Sequence, residues 1–348
     1  MSSPAIAPPD LAGDAAPTHT AAAALQVSVV VPTYRRPAML AVCLDALCHQ
    51  DFPPARYEIV ICDDGPDDAT RACVQRVAAA QAARGGPRVR YVPVTATQGP
   101  AGARNAGWRQ ACAPSIAFTD DDTRPDRGWL TAGVAALAHG AAAAAGTIVV
   151  PMPPRPTDYE ADASGLARAE FATANVFVAR RCLVATGGFD ERFTAAWRED
   201  SDLQFTLLRA GGEIVRADDA VVVHPVRPAR WGVSIAQQKK SQFDALLYRK
   251  HRDLYRTRIR ARPPLRYYAI VGCALAAVAA ALAGAMPVAL VALLAWLALT
   301  GQFCALRLRG RDRSWRHVAE MAWTSLPIPF LSLYWRLRGA IRFKVLFL

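Results

Sequence analysis

The sequence lacks several patterns that define common classes of protein. None of its eight cysteines forms a C-x-x-C pair, so we expect reduced thiols rather than a zinc site or a disulfide framework. The first 24 residues contain no Lys or Arg and no apolar block, unlike a signal peptide. They predict a disordered tail on a protein whose main domain is cytoplasmic. No internal repeat is visible.

Charge is absent from one long stretch near the C-terminus. Residues 267–306 form a run of 40 residues without Lys, Arg, Asp or Glu. This length is enough for two membrane-spanning helices of about 20 residues each. The Gly-Ala-Met-Pro sequence at 284–287 falls in the middle and would form the tight turn of a transmembrane helical hairpin.

The basic residues lie on both sides of this uncharged stretch. From residue 227 onward there are 21 Lys and Arg against 4 Asp and Glu, which accounts for the net charge of +12. The positive-inside rule therefore places both flanks in the cytoplasm, with the hairpin in the inner membrane. A nucleic-acid surface is the alternative for such charge, but it would not bracket an uncharged run, and we expect no nucleic-acid partner.

Strand-like and helix-like segments alternate from residue 27 onward. The predicted strands are residues 27–31, 58–62, 88–94 and 115–119, and the predicted helices are residues 37–48, 69–83 and 101–112. This alternation predicts an α/β fold in which helices flank a Rossmann-like, mostly parallel sheet. Ligands of such sheets bind at the carboxyl ends of the strands.

Polar residues follow each of the four predicted strands. The segments are PTYRR, DDGPDD, QGPAGARNAG and TDDD, in chain order. Each has a structural explanation when taken alone, as a turn, a helix cap, a loop or a solvated acidic cluster. Because the carboxyl ends of parallel strands meet at one edge, their recurrence predicts a shared ligand site.

With these segments the sequence resembles the family 2 glycosyltransferases, inverting enzymes that use nucleotide sugars and have the GT-A fold. The likeness covers residues 27–225 and also includes GGFDERF at 187–193 and EDSDLQFTLLRAGG at 199–212, although Pro66 stands where Ser is usual. The resemblance implies a GT-A catalytic domain at 25–225. A basic helical extension (226–266), the hairpin (267–306) and an amphipathic segment on the membrane surface (307–348) would follow.

The resemblance implies a divalent cation, Mn²⁺ or Mg²⁺, which acts as a Lewis acid on the leaving diphosphate. Asp122 would bind this cation, and Asp120 would reach the ribose or the metal shell. Asp121 would face away from them, because neighbouring side chains on an extended segment alternate. His224 follows an apolar strand, and it is either a structural histidine or a further metal ligand.

The resemblance also implies a nucleotide-sugar site. Pro32 belongs to the opening loop, Tyr34 would lie against the base, and Asp64 would accept from an imide N–H, which favours a UDP- or dTDP-sugar. Asp63 is expected to be a loop or cap residue. Arg104 is either a clamp on the diphosphate or a surface ion pair.

The catalytic group implied by the resemblance is Asp200, the general base that deprotonates the acceptor hydroxyl. Glu199 would contact the acceptor or orient Asp200. Acidic residues also suit the first turn of the helix predicted here, so helix capping is the structural alternative for this segment.

The predicted function is transfer of a sugar from a nucleotide-diphospho-sugar to a lipid-linked or glycan acceptor at the cytoplasmic membrane face. An anchor can also serve only to localise an enzyme. A non-catalytic membrane protein that binds a nucleotide sugar or a partner is an alternative, disfavoured by the intact Asp122 and Asp200. A nucleotidyltransferase is a further alternative, but it would need a Gly-rich loop directly after the first strand. The segment at that place, PTYRRPAML, has no glycine. Processive synthases carry Q-x-x-R-W where this chain has R-x-x-R-W at 227–231.

Overall fold

The computed structural model of the chain describes residues 24–347. The tail predicted at residues 1–24 therefore lies outside the described residues, except for its last position. Within the described part, one eight-stranded sheet carries helices on its two faces. The strands are β1 (Val27–Thr33), β2 (Tyr57–Asp63), β3 (Arg88–Pro93), β4 (Ser115–Thr119), β5 (Arg124–Pro125), β6 (Ala143–Val149), β7 (Asn175–Ala179) and β8 (Ile214–Val223).

The helices of the described part fall into two groups, one that flanks the sheet and one that follows it. Around the sheet are α1 (Pro37–Cys48), α2 (Asp68–Ala83), α3 (Pro100–Gln110), α4 (Trp129–Leu137), α5 (Asp158–Ala163), α6 (Arg180–Thr186) and α7 (Glu199–Arg209). After the sheet come α8 (Val233–Gln237), α9 (Gln242–Lys250), α10 (Arg252–Leu254), α11 (Leu265–Leu282), α12 (Met286–Leu308), α13 (Trp315–Ser325) and α14 (Ile328–Arg342).

The sheet has the order β3-β2-β1-β4-β7-β6-β8-β5. β1 pairs in parallel with β2 and β4, β2 with β3, and β6 with β8. β7 is antiparallel to both β4 and β6, and β5 is antiparallel to β8. The predicted α/β fold is confirmed, with a reversed strand in the middle: the connection through α4 leaves a gap between β4 and β6, and β7 fills it from the opposite direction.

The first elements form where the sequence predicted them, because their end signals are strong. Pro37 begins α1 at a position where its missing N–H costs nothing. The Asp67 side chain caps α2 by accepting from the Thr70 N–H at 3.0 Å. α3 lies very close to the sheet, since a Cβ on Gly107 would stand 2.4 Å from Val30 Cγ1. These contacts fix the loops between strands and helices at the carboxyl edge.

Two long apolar helices, α11 and α12, form the predicted hairpin. Their mean hydropathies are 1.8 and 2.0, and only 6% and 11% of the residues in their most apolar 18-residue stretches are buried. Both are long and apolar enough to cross a membrane. The turn lies at Ala283, Gly284 and Ala285, with Gly284 at φ +73°. Met286 and Pro287 already belong to α12, because proline suits the first turn of a helix.

The C-terminal helices return to the extension that follows the sheet. Phe343 and Phe347 are buried in a cluster with Phe243, Tyr248 and Tyr255 of α9 and its neighbours. Arg307 pairs with Asp158 at 2.7 Å. The other faces of α13 and α14 remain exposed and carry large apolar side chains. These are Trp315, Val318, Trp323, Phe330, Tyr334, Leu337 and Ile341.

Candidate active site

The carboxyl edge of the sheet has two adjoining cavities. The smaller cavity, about 180 Å³, lies beside the ends of β1 and β2, and Pro32, Tyr34 and Asp64 line it. The larger cavity, about 680 Å³, extends from the end of β4 to the start of α7 and to the extension, and Glu199 and Asp200 line it. Every site residue predicted from the sequence therefore lines at least one of these two cavities.

Asp120, Asp122 and His224 form a cluster whose ligand atoms all lie within 4.8 Å of one another. Asp122 Oδ1 is 3.5 Å from His224 Nε2, and the Asp122 side chain is 6% exposed. Its other oxygen, Oδ2, lies 3.0 Å from Arg227 Nε but accepts no hydrogen bond. A buried carboxylate oxygen without a hydrogen bond, beside a second carboxylate and an imidazole, fits a divalent cation. These three residues could hold one.

Arg104 joins this cluster to α7. Its Nη2 donates to Asp120 Oδ1 at 2.7 Å, and its Nη1 donates to Glu199 Oε1 at 3.2 Å. The surface ion pair considered for Arg104 is wrong, because the residue is 3% exposed. Burial alone would raise the pKa of Asp120, but Arg104 and His224 hold that pKa below its usual value. Asp120 is therefore an anion beside Asp122.

Asp121 faces away from Asp120 and Asp122, as alternation predicts, but it is buried rather than solvated. Its Oδ2 accepts from Thr33 Oγ1 at 2.7 Å, and its Oδ1 is 3.3 Å from Arg36 Nη1. Burial raises the pKa of Asp121 to about 6, against the opposing effect of Arg36. The residue ties the end of β4 to the loop after β1.

The walls of the smaller cavity are held by two adjacent aspartates in different ways. Asp64 accepts from the Gly99 N–H at 2.7 Å and 2.9 Å through its two oxygens, and burial raises its pKa. Asp63 is fully buried and accepts from Tyr91 Oη at 2.8 Å and from backbone N–H groups of its own loop. The predicted loop role of Asp63 agrees with these contacts. Tyr34 is 48% exposed, and its ring covers Gly65.

Two acidic residues begin α7 at the larger cavity. Glu199 is 4% exposed; burial and the charge of Asp200 raise its pKa to about 7. Burial also raises the pKa of Asp200, whose Oδ1 accepts from the Ser201 N–H at 2.6 Å. The residue before them, Arg198, caps the helix in a left-handed conformation at φ +76° without a side-chain capping bond. The acidic residues do lie in the first turn of α7, as the structural alternative requires, although the cap position itself holds an arginine.

Some residues near the site were not singled out from the sequence. Asp202 is buried and accepts from Lys250 Nζ at 2.6 Å, while His251 Nε2 lies 3.0 Å away, so it joins α7 to the extension. Asn105 donates to Phe189 O at 2.9 Å and to Glu191 Oε1 at 2.8 Å. Asn105 thus connects the GARNAG and GGFDERF segments. The presence of both segments in the sequence was the signal from which this contact could have been predicted.

Comparisons with known proteins agree with this geometry. A model of glycosyl transferase family 2 matches residues 28–189. The glycosyltransferase AglE of Haloferax volcanii is 26% identical over 214 residues, which are 58% of this chain and 67% of that protein. The GalNAc(5)-diNAcBac-PP-undecaprenol beta-1,3-glucosyltransferase of Campylobacter jejuni is 33% identical over 98 residues, 28% of this chain but only 29% of that protein.

A solved structure has the same fold. The mannosyltransferase PcManGT from Pyrobaculum calidifontis, in complex with GDP-Man and Mn²⁺, superposes with a TM-score of 0.57 over 92% of this chain and 87% of that one, at 21% identity. This likeness shows the GT-A fold. The family match and the named relatives also overturn the non-catalytic alternative. Residues 28–189 match glycosyl transferase family 2, and with these relatives the protein is a glycosyltransferase.

Proposed function

We propose that the protein is an inverting glycosyltransferase of the cytoplasmic membrane face. It transfers a sugar from a nucleotide-diphospho-sugar, with a UDP- or dTDP-sugar favoured, to a hydroxyl of a lipid-linked or glycan acceptor. The single observation that carries this proposal is a shared cavity. Asp120 and His224 of the metal-binding cluster line the same cavity of about 680 Å³ as Asp200. One cavity thereby offers a place for the leaving diphosphate and a base for the acceptor.

The reaction follows from the positions of these groups. Asp200 takes the proton of the acceptor hydroxyl, and the acceptor oxygen attacks the anomeric carbon from the face opposite the diphosphate. The bond from that carbon to the diphosphate oxygen breaks, and the nucleoside diphosphate leaves with the electron pair. A single displacement inverts the anomeric configuration. The raised pKa of Asp200 makes it a stronger base than an ordinary carboxylate, and Glu199 beside it would orient the acceptor.

Asp122, Asp120 and His224 would hold Mn²⁺ or Mg²⁺ on the donor side of this cavity. When bound, such a cation supplies positive charge that stabilises the leaving diphosphate. Arg104 keeps Asp120 ionised through a hydrogen bond of 2.7 Å, so the cluster retains its negative charge. A direct clamp by Arg104 on the diphosphate remains part of the proposal, since the residue also lines the smaller cavity.

The smaller cavity would take the nucleotide. The exposed ring of Tyr34 offers a stacking surface, and Asp64 offers carboxylate oxygens for an imide N–H. Pro32, near the end of β1, lines the same cavity. An imide N–H belongs to uracil and thymine, which is why these two bases are favoured. The solved relative binds GDP-Man, so a guanine donor belongs in the test.

The membrane part of the proposal rests on apolar surface. In helices α11 and α12, nearly all residues of the apolar stretches are exposed. The name of the Campylobacter jejuni relative includes an undecaprenol-linked glycan. We place α11 and α12 across the inner membrane and the exposed faces of α13 and α14 on its surface. The proposed regions are the catalytic domain (25–225), the extension (226–266), the hairpin (267–306) and the surface segment (307–348). An acceptor carried by a lipid would then meet the larger cavity at the bilayer.

A donor panel tests this function. The purified protein in detergent is incubated with UDP-, dTDP- and GDP-sugars and Mn²⁺ or Mg²⁺, and release of nucleoside diphosphate is measured. We expect slow hydrolysis of one donor, abolished by EDTA and by Asp122→Ala. Asp218→Ala, at an exposed residue away from both cavities, serves as the control. No hydrolysis and no metal-dependent binding with any donor would contradict the proposal.

A further inference from the structure

Arg227 lies where a cation bound by Asp122 would have to be accommodated. Its Nε is 3.0 Å from Asp122 Oδ2, and Asp122 is buried while the Arg227 side chain is 46% exposed. The N–H of Arg227 does not point at this oxygen, which accepts no hydrogen bond. The contact is therefore a charge pair without hydrogen-bond geometry, and nearly half of the arginine side chain is exposed.

The surroundings of Arg227 connect it to both substrate cavities. It lines the smaller cavity together with Tyr34 and Asp64 and the larger cavity together with Asp200. It belongs to the segment after β8, which has no regular secondary structure between His224 and Arg230. A small rotation of its side chain would thus move the guanidinium from Asp122 to an anionic group of a substrate in either cavity.

We propose that Arg227 is a counter-charge that competes with the divalent cation for Asp122. A divalent cation at Asp122 and a guanidinium on the same carboxylate repel each other, so binding of the cation displaces Arg227. The displaced guanidinium turns to the donor diphosphate, which arrives with the cation and offers the paired oxygens that arginine binds best. Free cation therefore binds weakly, and cation together with donor binds strongly. This inference rests on the proposed metal site.

The test measures binding of Mn²⁺ alone to the full chain in detergent, from the signal of free Mn²⁺ in electron paramagnetic resonance. Arg227→Gln removes the competing charge and should bind Mn²⁺ about two- to fivefold more tightly than wild type, the scale of a partly exposed ion pair. Arg227→Lys keeps the charge and should stay near wild type. Arg230→Gln changes an exposed arginine of the same segment and should also bind as wild type does.

The same titration with saturating UDP, dTDP or GDP tests the second partner. With the nucleotide that the enzyme binds, the advantage of Arg227→Gln should disappear or reverse, because the variant cannot pair with the diphosphate. An advantage that persists with all three nucleotides would overturn the diphosphate contact.

The outcomes separate this inference from the proposed function. Equal Mn²⁺ affinity of wild type and Arg227→Gln overturns the competition while leaving the metal site in place. Binding by neither protein overturns the metal site and the inference with it. Binding by Arg227→Gln alone supports the competition in its strongest form. Asp122→Asn should lose Mn²⁺ binding whenever the wild type shows it.

Discussion

The three adjacent aspartates after β4 show how neighbouring residues of one type acquire different properties. Asp120 is kept ionised by Arg104, Asp122 has an oxygen without a hydrogen bond, and Asp121 is buried against Thr33. Alternation along an extended segment predicted that the middle one faces the other way. The identity of its partners could not be predicted, because Thr33 and Arg36 lie more than 80 residues earlier in the chain.

Asp121 predicts a dependence of stability on pH. Its pKa is about 6 in the folded protein and near 3.8 when exposed, so between these values the folded state binds more protons than the unfolded state. Stability contributed by the protonated form is therefore full below about pH 4 and is lost as pH rises through about 6. The loss is on the order of 3 kcal/mol.

Asp121→Asn should remove this loss, so that the variant gains stability relative to wild type as pH rises from about 4 to 7. The measurement is the unfolding midpoint at several pH values in EDTA, which keeps metal binding out of the comparison. Asp219→Asn, at an exposed acid, is the control and should follow wild type. A difference between Asp121→Asn and wild type that does not change with pH would show that this acid does not carry the effect.

Asp200 predicts a separation of chemistry from donor binding. Asp200→Asn keeps the size of the side chain but cannot accept the acceptor proton, so transfer should fall at least ~100-fold. Donor binding should stay within a few-fold of wild type, because no donor contact is assigned to this residue. Single-turnover transfer and donor titration measure the two quantities, with Asp219→Asn, at an exposed acid, as control. Unchanged transfer would remove Asp200 from the role of base.

At the scale of elements, α7 depends on the extension for its starting geometry. Arg198 has φ +76°, a costly conformation for a residue with a side chain. Asp244 of α9 holds it by accepting from Arg198 Nε at 2.7 Å and from Trp197 Nε1 at 3.1 Å. The helix that carries Glu199 and Asp200 is therefore positioned by a residue from outside the sheet domain.

Asp244→Asn should weaken this support and lower the rate of transfer by about tenfold through misplacement of Asp200, with donor affinity unchanged. The informative readout is the rate at saturating donor, because a general loss of folding would lower the fraction of active protein and not the rate per active site. Asp253→Asn breaks an exposed ion pair with Arg209 nearby and should have little effect. Equal rates for Asp244→Asn and wild type would contradict the positioning role.

The approach of α3 to the sheet predicts a second effect at the element scale. A Cβ on Gly107 would lie 2.4 Å from Val30 Cγ1 and 2.6 Å from Cys62 Sγ. Gly107→Ala should overpack this contact and destabilise the protein by about 1–3 kcal/mol, measured by thermal or urea unfolding. Gly165→Ala adds the same methyl group where nothing lies within 4 Å and is the matched control. Similar midpoints for the two variants would show that α3 can move away.

Local signals explain why the first half of the fold could be predicted and the second half could not. The strands β1, β2 and β4 have apolar centres, β3 alternates two arginines with apolar residues, and Pro37 and Asp67 give clear helix starts. By contrast, β6 begins with three alanines and a glycine, β5 has two residues, and β7 is paired in reverse with strands from both sides. Their pairing depends on contacts between distant segments. The contacts of Arg104, Asp202 and Asp244 were missed for the same reason.

At the scale of the whole molecule, the basic charge and the apolar surface lie together. Of the 41 Lys and Arg residues, 21 follow residue 226, and the exposed faces of α11 to α14 hold most of the exposed large apolar side chains of the described residues. Arg307 of α12 pairs with Asp158 of the sheet domain, and Lys250 of α9, the helix on which Phe343 packs, pairs with Asp202. An anchor packed in this way would hold the larger cavity at a fixed height above a bilayer.

This arrangement predicts the side of the membrane on which each loop lies. A short epitope tag inserted after Gly284, in the turn between α11 and α12, should be labelled by antibody added outside spheroplasts. A tag after Gly310 or after Gly140 should be labelled only after permeabilisation, because basic flanks stay in the cytoplasm. A Cβ at any of these glycines would contact no atom within 4 Å, so each turn has open space beside it for a tag. Labelling at Gly310 without permeabilisation would contradict the hairpin, whereas protection at all three positions would indicate that α11 and α12 lie on the membrane without crossing it.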